Sequence, residues 1–109
     1  MRKASFGLMI LLIGIALPLA AAYSGQIEGK VIDAATGDFL PGANVMLRGT
    51  AIGITSDLNG VYRILNVPEG EYTLVVSYVG YQTARIPIVV NEGETTKKDI
   101  ALRLSVVQF

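Results

Sequence analysis

The segment Glu71–Val79 has the best alternation in the chain: Tyr72, Leu74, Val76 and Tyr78 lie on one face, and Glu71, Thr73 and Ser77 lie on the other. Successive strand side chains point to opposite faces of a sheet, so this spacing predicts a strand with one face on a core and one in water. The same period recurs along the chain, and turn signals interrupt it every eight to twelve residues. No stretch after residue 22 sustains a 3.6-residue apolar period. Regularly spaced short strands with short connections point to an all-β sandwich or barrel.

Seven strands are expected: Gln26–Asp33, Ala43–Arg48, Ala51–Ser56, Val61–Val67, Glu71–Val79, Tyr81–Val90 and Thr96–Leu104. The inward residues expected of them include Ile27, Gly29 and Val31, then Ala43, Val45 and Leu47, then Tyr62 and Ile64. Ala84, Ile86, Ile88 and Val90 follow, and Ile100, Leu102 and Leu104 close the pattern. Pro87 cannot donate to a ladder, which places its strand at a sheet edge. Asp57-Leu58-Asn59-Gly60 is the sharpest turn signal, because Asp accepts backbone hydrogen bonds and Asn-Gly tolerates positive φ. Pro68-Glu69-Gly70 reads as a tight hairpin connection, and Gly80 as a bend or bulge.

Residues 1–22 have a different character. Arg2 and Lys3 precede the uncharged apolar run Phe6–Leu17, Pro18 breaks it, and Ala20-Ala21-Ala22 supplies small residues. That order is the pattern of a secretory signal peptide cleaved before Tyr23. A retained membrane anchor is the competing reading, although Phe6–Ala22 is short for a span and holds two glycines and a proline. No cysteine is present to carry a lipid.

Removing Arg2 and Lys3 from the nine basic residues leaves seven against nine Asp and Glu. No basic patch stands out, so the electrostatic footprint of a nucleic-acid binder is missing and no nucleic-acid partner is expected. The chain contains neither His nor Cys. Ser-His-Asp and Cys-His nucleophiles and the usual zinc ligand sets are therefore excluded, and no enzyme activity or cofactor is expected. The acidic pairs Glu69 and Glu71, and Glu92 and Glu94, read as solvated turn residues rather than an acid–base pair. Asp57 and Asn59 resemble the opening of a calcium loop, but the closing bidentate Glu is absent, which leaves them weak metal candidates. No glycine-rich phosphate loop opens a helix. Tyr62, Tyr72 and Tyr78 belong on inward faces, whereas Tyr81, after Gly80, is the aromatic candidate for exposure.

The residues also carry a family pattern. It runs through Ile27–Asp33 with Thr36-Gly37, Leu40-Pro41-Gly42-Ala43-Asn44-Val45 and Thr55–Gly60. It continues with Tyr62, Val67-Pro68-x-Gly70-x-Tyr72-Thr73-Leu74 and Val79-Gly80-Tyr81. Together these strongly resemble the carboxypeptidase regulatory-like domain, a seven-stranded, two-sheet sandwich of the transthyretin (prealbumin) kind. The match covers about residues 25–103. It implies a signal peptide over 1–22, the sandwich over 23–104, and at 105–109 the beginning of a lead-in to a further domain that does not follow.

A signal peptide followed directly by this domain resembles the N-terminus of TonB-dependent outer-membrane receptors of the Bacteroidetes type, where the domain precedes plug and barrel. The resemblance implies a non-catalytic accessory domain, exported to the periplasm or outer membrane, without transport activity of its own. Its expected partners are envelope proteins, including the transport machinery, and it would touch a membrane only through the signal peptide or a missing barrel. The interaction candidates are Asp57, Asn59, Gly60, Pro68, Glu69 and Gly70, with the edge near Pro87. The alternative is a stand-alone carbohydrate- or peptide-binding module. Other branches of the fold fit less well. Hydroxyisourate hydrolases use histidines, collagen-adhesin domains place a Glu where Val76 stands, and the metallocarboxypeptidases add a catalytic domain.

Overall fold

In the computed structural model, residues 23–106 are described. The expected signal peptide at 1–22, and residues 107–109 of the expected lead-in, lie outside them. The alternating segments form eight strands: β1 (Ser24–Asp33), β2 (Asn44–Leu47), β3 (Gly53–Thr55), β4 (Val61–Pro68), β5 (Gly70–Ser77), β6 (Ala84–Val90), β7 (Thr95–Lys97) and β8 (Ile100–Leu102). In the first sheet β1 is central, with β4 antiparallel on one side and β7 and β8 parallel on the other. The second sheet has the antiparallel order β3-β2-β5-β6.

The core lies between the two sheets, as the alternation requires. Ile27, Val31, Tyr62, Ile64, Val67, Ile100 and Leu102 come from the first sheet. Val45, Leu47, Leu74, Val76, Ile88 and Val90 come from the second. Tyr72, Tyr78, Ala84 and Ile86 pack against this core while keeping some exposure. The all-β two-sheet sandwich is thus the observed fold, and β6, with Pro87, is an edge strand.

Four details depart from expectation. The seventh expected strand is two strands. The offset to β1 is unchanged across the gap, since Glu28 pairs with Lys97 and Val31 with Ile100. The ladder breaks because the carboxylate of Asp99 accepts the Lys30 amide at 3.0 Å, in place of a backbone carbonyl. Pro68-Glu69-Gly70 is not a hairpin, because β4 and β5 belong to different sheets and the connection turns a corner between them. The corner is held by the Tyr72 hydroxyl, which donates to the Pro68 carbonyl at 2.6 Å.

Leu104 is 57% exposed rather than inward. The chain has left β8 by then and crosses to the second sheet, where Leu104 bridges Tyr81 and Gln82 N donates to Arg103 O at 2.8 Å. Lastly, β4 carries an unexpected bulge. Gly25 pairs with Val67 and Ile27 with Ile64, so Leu65 and Asn66 both stand opposite Gln26, and Asn66 adopts a φ of 55°. Asn is among the few non-glycine residues that tolerate this left-handed conformation.

Candidate interaction surface

The two candidate interaction loops are far apart. Asp57–Gly60 precedes β4 and Pro68–Gly70 follows it. Eight residues at about 3.3 Å each separate the loops by roughly 26 Å, the length of the sandwich. They belong to opposite ends and cannot form one site.

At the first end, Asp57 organises its own loop. Its Oδ1 accepts the amides of Asn59 at 2.8 Å and Val61 at 2.9 Å. Its carbonyl accepts the Gly60 amide, and its own amide donates to Val61 O, both at 2.9 Å. Gly60 has a φ of 74°, and a Cβ there would stand 2.8 Å from the Val31 carbonyl. Only glycine meets both conditions. The backbone geometry leaves Leu58 86% exposed at the tip. Among the described residues no three His, Cys, Asp or Glu side chains gather as a metal site.

At the second end, Glu69 N donates to Tyr23 O at 2.9 Å, so the Pro68–Gly70 corner sits against the start of β1. The edge near Pro87 is blunted. Pro87 pairs with Thr73 and has no amide to offer, and the outward carbonyl of Val89 is taken by Thr96 Oγ1 at 2.9 Å. An edge that lacks one donor and has one acceptor occupied is a weaker template for an added strand.

Two polar clusters that the sequence reading missed tie the first end together. Ser56 is 5% exposed; its hydroxyl donates to Leu40 O at 2.6 Å and accepts the Ala43 amide at 2.9 Å. It therefore locks the Leu40-Pro41-Gly42-Ala43 corner onto the end of β3. Asp33, 6% exposed, ends β1. Its Oδ1 accepts the amides of Ala35 at 2.7 Å and Thr36 at 3.0 Å, and its Oδ2 accepts the Tyr81 hydroxyl at 2.6 Å. Tyr81 is thus half-buried and joins the two sheets, with its ring 5.6 Å from that of Tyr78. The Tyr81 hydroxyl, with help from the backbone amides, holds the Asp33 carboxyl below its ordinary value. The same bond, with desolvation and nearby carboxylates, pushes Tyr81 up to about 12.

The motif residues Asp33 and Tyr81, and Leu40, Ala43 and Ser56, carry both clusters, but Tyr81 lies 48 residues from Asp33, and Leu40 and Ala43 lie 16 and 13 residues from Ser56. This end also collects exposed apolar side chains: Phe39 at 50%, Leu58 at 86%, Val79 at 94% and Leu104 at 57%. Lys30 Nζ stands 5.5 Å from the centre of the Phe39 ring. Several large apolar groups at one end of a small domain are a candidate contact surface.

Comparison with known proteins agrees with this architecture. The chain is 35% identical over 102 residues to TonB-dependent receptor P3 of Formosa agariphila, which covers 94% of this chain and 9% of the receptor. It is 32% identical over 111 residues to TonB-dependent receptor SusC of Bacteroides thetaiotaomicron, covering 98% of this chain and 11% of that one. The chain therefore spans about a tenth of the length of these curated relatives. Among solved structures, BcpA, the major pilin subunit of Bacillus cereus, matches 75% of this chain and 30% of its own with a TM-score of 0.60 and 27% identity. The CarboxypepD_reg-like domain profile matches residues 27–109, and the chain belongs to that family.

Proposed function

We propose that this chain is the exported, non-catalytic N-terminal domain of a TonB-dependent receptor, acting by protein contact in the periplasm. The observation that carries the reading is the pair of receptor alignments, each spanning nearly the whole chain at above 30% identity. The absence of His and Cys supports a role without nucleophilic or zinc chemistry. The contact surface in this reading is the end bearing Phe39, Leu58, Val79 and Leu104. Apolar side chains this exposed contribute little to the sandwich's own core, and their burial against a partner would be favourable. Transport belongs to the rest of such a receptor rather than to this domain.

Export is tested by expressing the chain with its N-terminal segment in a Bacteroidetes-type host. The expected product is an envelope protein beginning at Tyr23, and an unprocessed cytoplasmic product overturns export. Contact is tested with the domain in place in a full-length receptor. Leu58→Asp together with Val79→Asp is expected to abolish cross-linking of the domain to envelope proteins without changing receptor abundance. Cross-linking that survives both substitutions overturns the assigned surface.

A further inference from the structure

The sandwich has its beginning and its exit at opposite ends. Tyr23 lies beside the Pro68–Gly70 corner, whereas residues 103–105 lie beside the Gly80–Gln82 turn. After β8 the chain abandons its ladder with β1 and crosses to the other sheet. Three main-chain bonds fix that crossing or the turn beneath it. Gln82 N donates to Arg103 O at 2.8 Å, Ser105 N to Gly80 O at 2.9 Å, and Tyr81 N to Tyr78 O at 3.0 Å. Little apolar burial assists them, since Arg103, Leu104, Ser105 and Val106 are all exposed. The turn itself is joined to the first sheet by a side-chain hydrogen bond from the Tyr81 hydroxyl to Asp33 Oδ2.

We infer that the Tyr81–Asp33 bond is a latch that sets the direction in which the polypeptide leaves the sandwich, and that it opens without unfolding the core. The chain of cause is short. Asp33 is anchored by the amides of Ala35 and Thr36 and by its place at the end of β1. Tyr81 transfers that position to the Gly80–Gln82 turn, and the turn holds residues 103 and 105 from both sides. A charge-assisted bond of this kind is stronger than a neutral one, and an exposed segment held by few bonds is the first part of a fold to open. The hydroxyl is separable from the core: the Tyr81 ring packs against the core cluster whether or not the bond is made, and Asp33 pairs with Leu102 at the last rung of the β1–β8 ladder, so the inner rungs lie away from it. If the domain stands at the head of a receptor, as proposed above, the latch fixes its attitude toward the rest of that protein. The latch itself rests on the geometry alone.

The full chain carrying Tyr81→Phe tests this by amide exchange. The variant keeps the ring against Tyr78 and removes only the hydroxyl. Exchange at Gln82 and Ser105 is expected to accelerate about tenfold or more, with the amides of Ile27, Val45 and Val76 unchanged. Equal acceleration everywhere would make Tyr81 a general stabiliser and overturn the latch, and unchanged Gln82 and Ser105 would overturn it too. A second readout uses the lack of native cysteine. Spin labels on Ala35→Cys and Val106→Cys are expected to give a narrow distance distribution that broadens when Tyr81→Phe is added. A distribution equally narrow, or equally broad, with and without the hydroxyl overturns the proposal. Failure of export or of envelope cross-linking would leave both readouts standing, so the two readings fail separately.

Discussion

Tyr62 reaches across Gly29 and donates its hydroxyl to the main-chain carbonyl of Lys98, joining β4, β1 and the break between β7 and β8 at one point. Gly29 is the residue paired with Tyr62 on β1, and a Cβ there would lie 1.9 Å from the Lys98 oxygen. The carbonyl is therefore able to approach only because position 29 has no side chain. Burial, and then the charge of Asp99, push the Tyr62 hydroxyl well above its ordinary value, so it remains a donor at any physiological pH.

This arrangement makes Gly29→Ala a severe substitution. The clash is with backbone, which cannot swing aside as a flexible side chain can. A loss of about 3 kcal/mol or more is expected in denaturant titration, at the upper end of overpacking effects. Tyr62→Phe is expected to cost about 1–3 kcal/mol, the usual penalty for orphaning a buried polar group. A Gly29→Ala protein as stable as the parent would mean that the Lys98 carbonyl does not sit over Gly29.

Ser56 gives a second stability prediction. Its hydroxyl serves two main-chain groups at once, Leu40 O and Ala43 N, in a buried corner. Ser56→Ala leaves both without that partner and opens only a small void, so a loss of about 1–3 kcal/mol is expected. Ser56→Thr keeps the hydroxyl but adds a methyl to a closed site, and thermal unfolding is expected to place it between the two. Equal melting temperatures for Ser56→Ala and the parent would overturn this role.

The contrast between these residues shows what was legible in the chain. Inward positions such as Val45, Leu74 and Val76 follow from alternation alone, because a strand has only two faces. Asp57 was legible as a turn former because its hydrogen-bond partners lie within four residues. Ser56 and the Asp33–Tyr81 pair were not, since the partners of Ser56 lie in the Leu40–Ala43 corner and Tyr81 meets Asp33 only where the two sheets stack, and nothing local encodes either pairing. The Pro68–Gly70 connection misled for the same reason. Its composition permits a tight turn, but whether the flanking strands pair or part is decided by the sheets they join. Likewise the two interaction loops are neighbours in sequence, and the length of β4 holds them apart.

The Asp33–Tyr81 bond predicts a pH dependence with two limbs. The folded carboxyl of Asp33 titrates below its ordinary value of 3.8. Its contribution is present above that value and is lost as pH falls through the folded one. Tyr81 is raised from 10.0 to about 12, so its contribution is present below pH 10 and is lost as pH rises through about 12. The two groups share one bond, so they describe a single effect seen from both sides. Stability measured against pH is expected to be flat between these limits and to fall outside them. In Tyr81→Phe the alkaline limb should shrink. The acid limb should shrink less, because Ala35 and Thr36 still donate to Asp33. An alkaline limb identical in the variant would assign it to another group.

The bulge at Asn66 offers a test of backbone rather than side-chain chemistry. Asn66 is exposed and holds a φ of 55° opposite Gln26. Its side chain packs into no core, so the main constraint on this position is conformational. Asn66→Gly relieves that constraint in the folded state but loosens the unfolded chain, and a change within about 1 kcal/mol of neutral is expected. Asn66→Val places a β-branched side chain in the left-handed region and is expected to cost about 1–2 kcal/mol. The order of stability in denaturant should therefore be Gly close to Asn, with Val clearly below. If Val matched Asn, the extra residue would have to be absorbed at Leu65 instead, and the Gly25–Val67 pairing would shift, which amide exchange at Val67 would register.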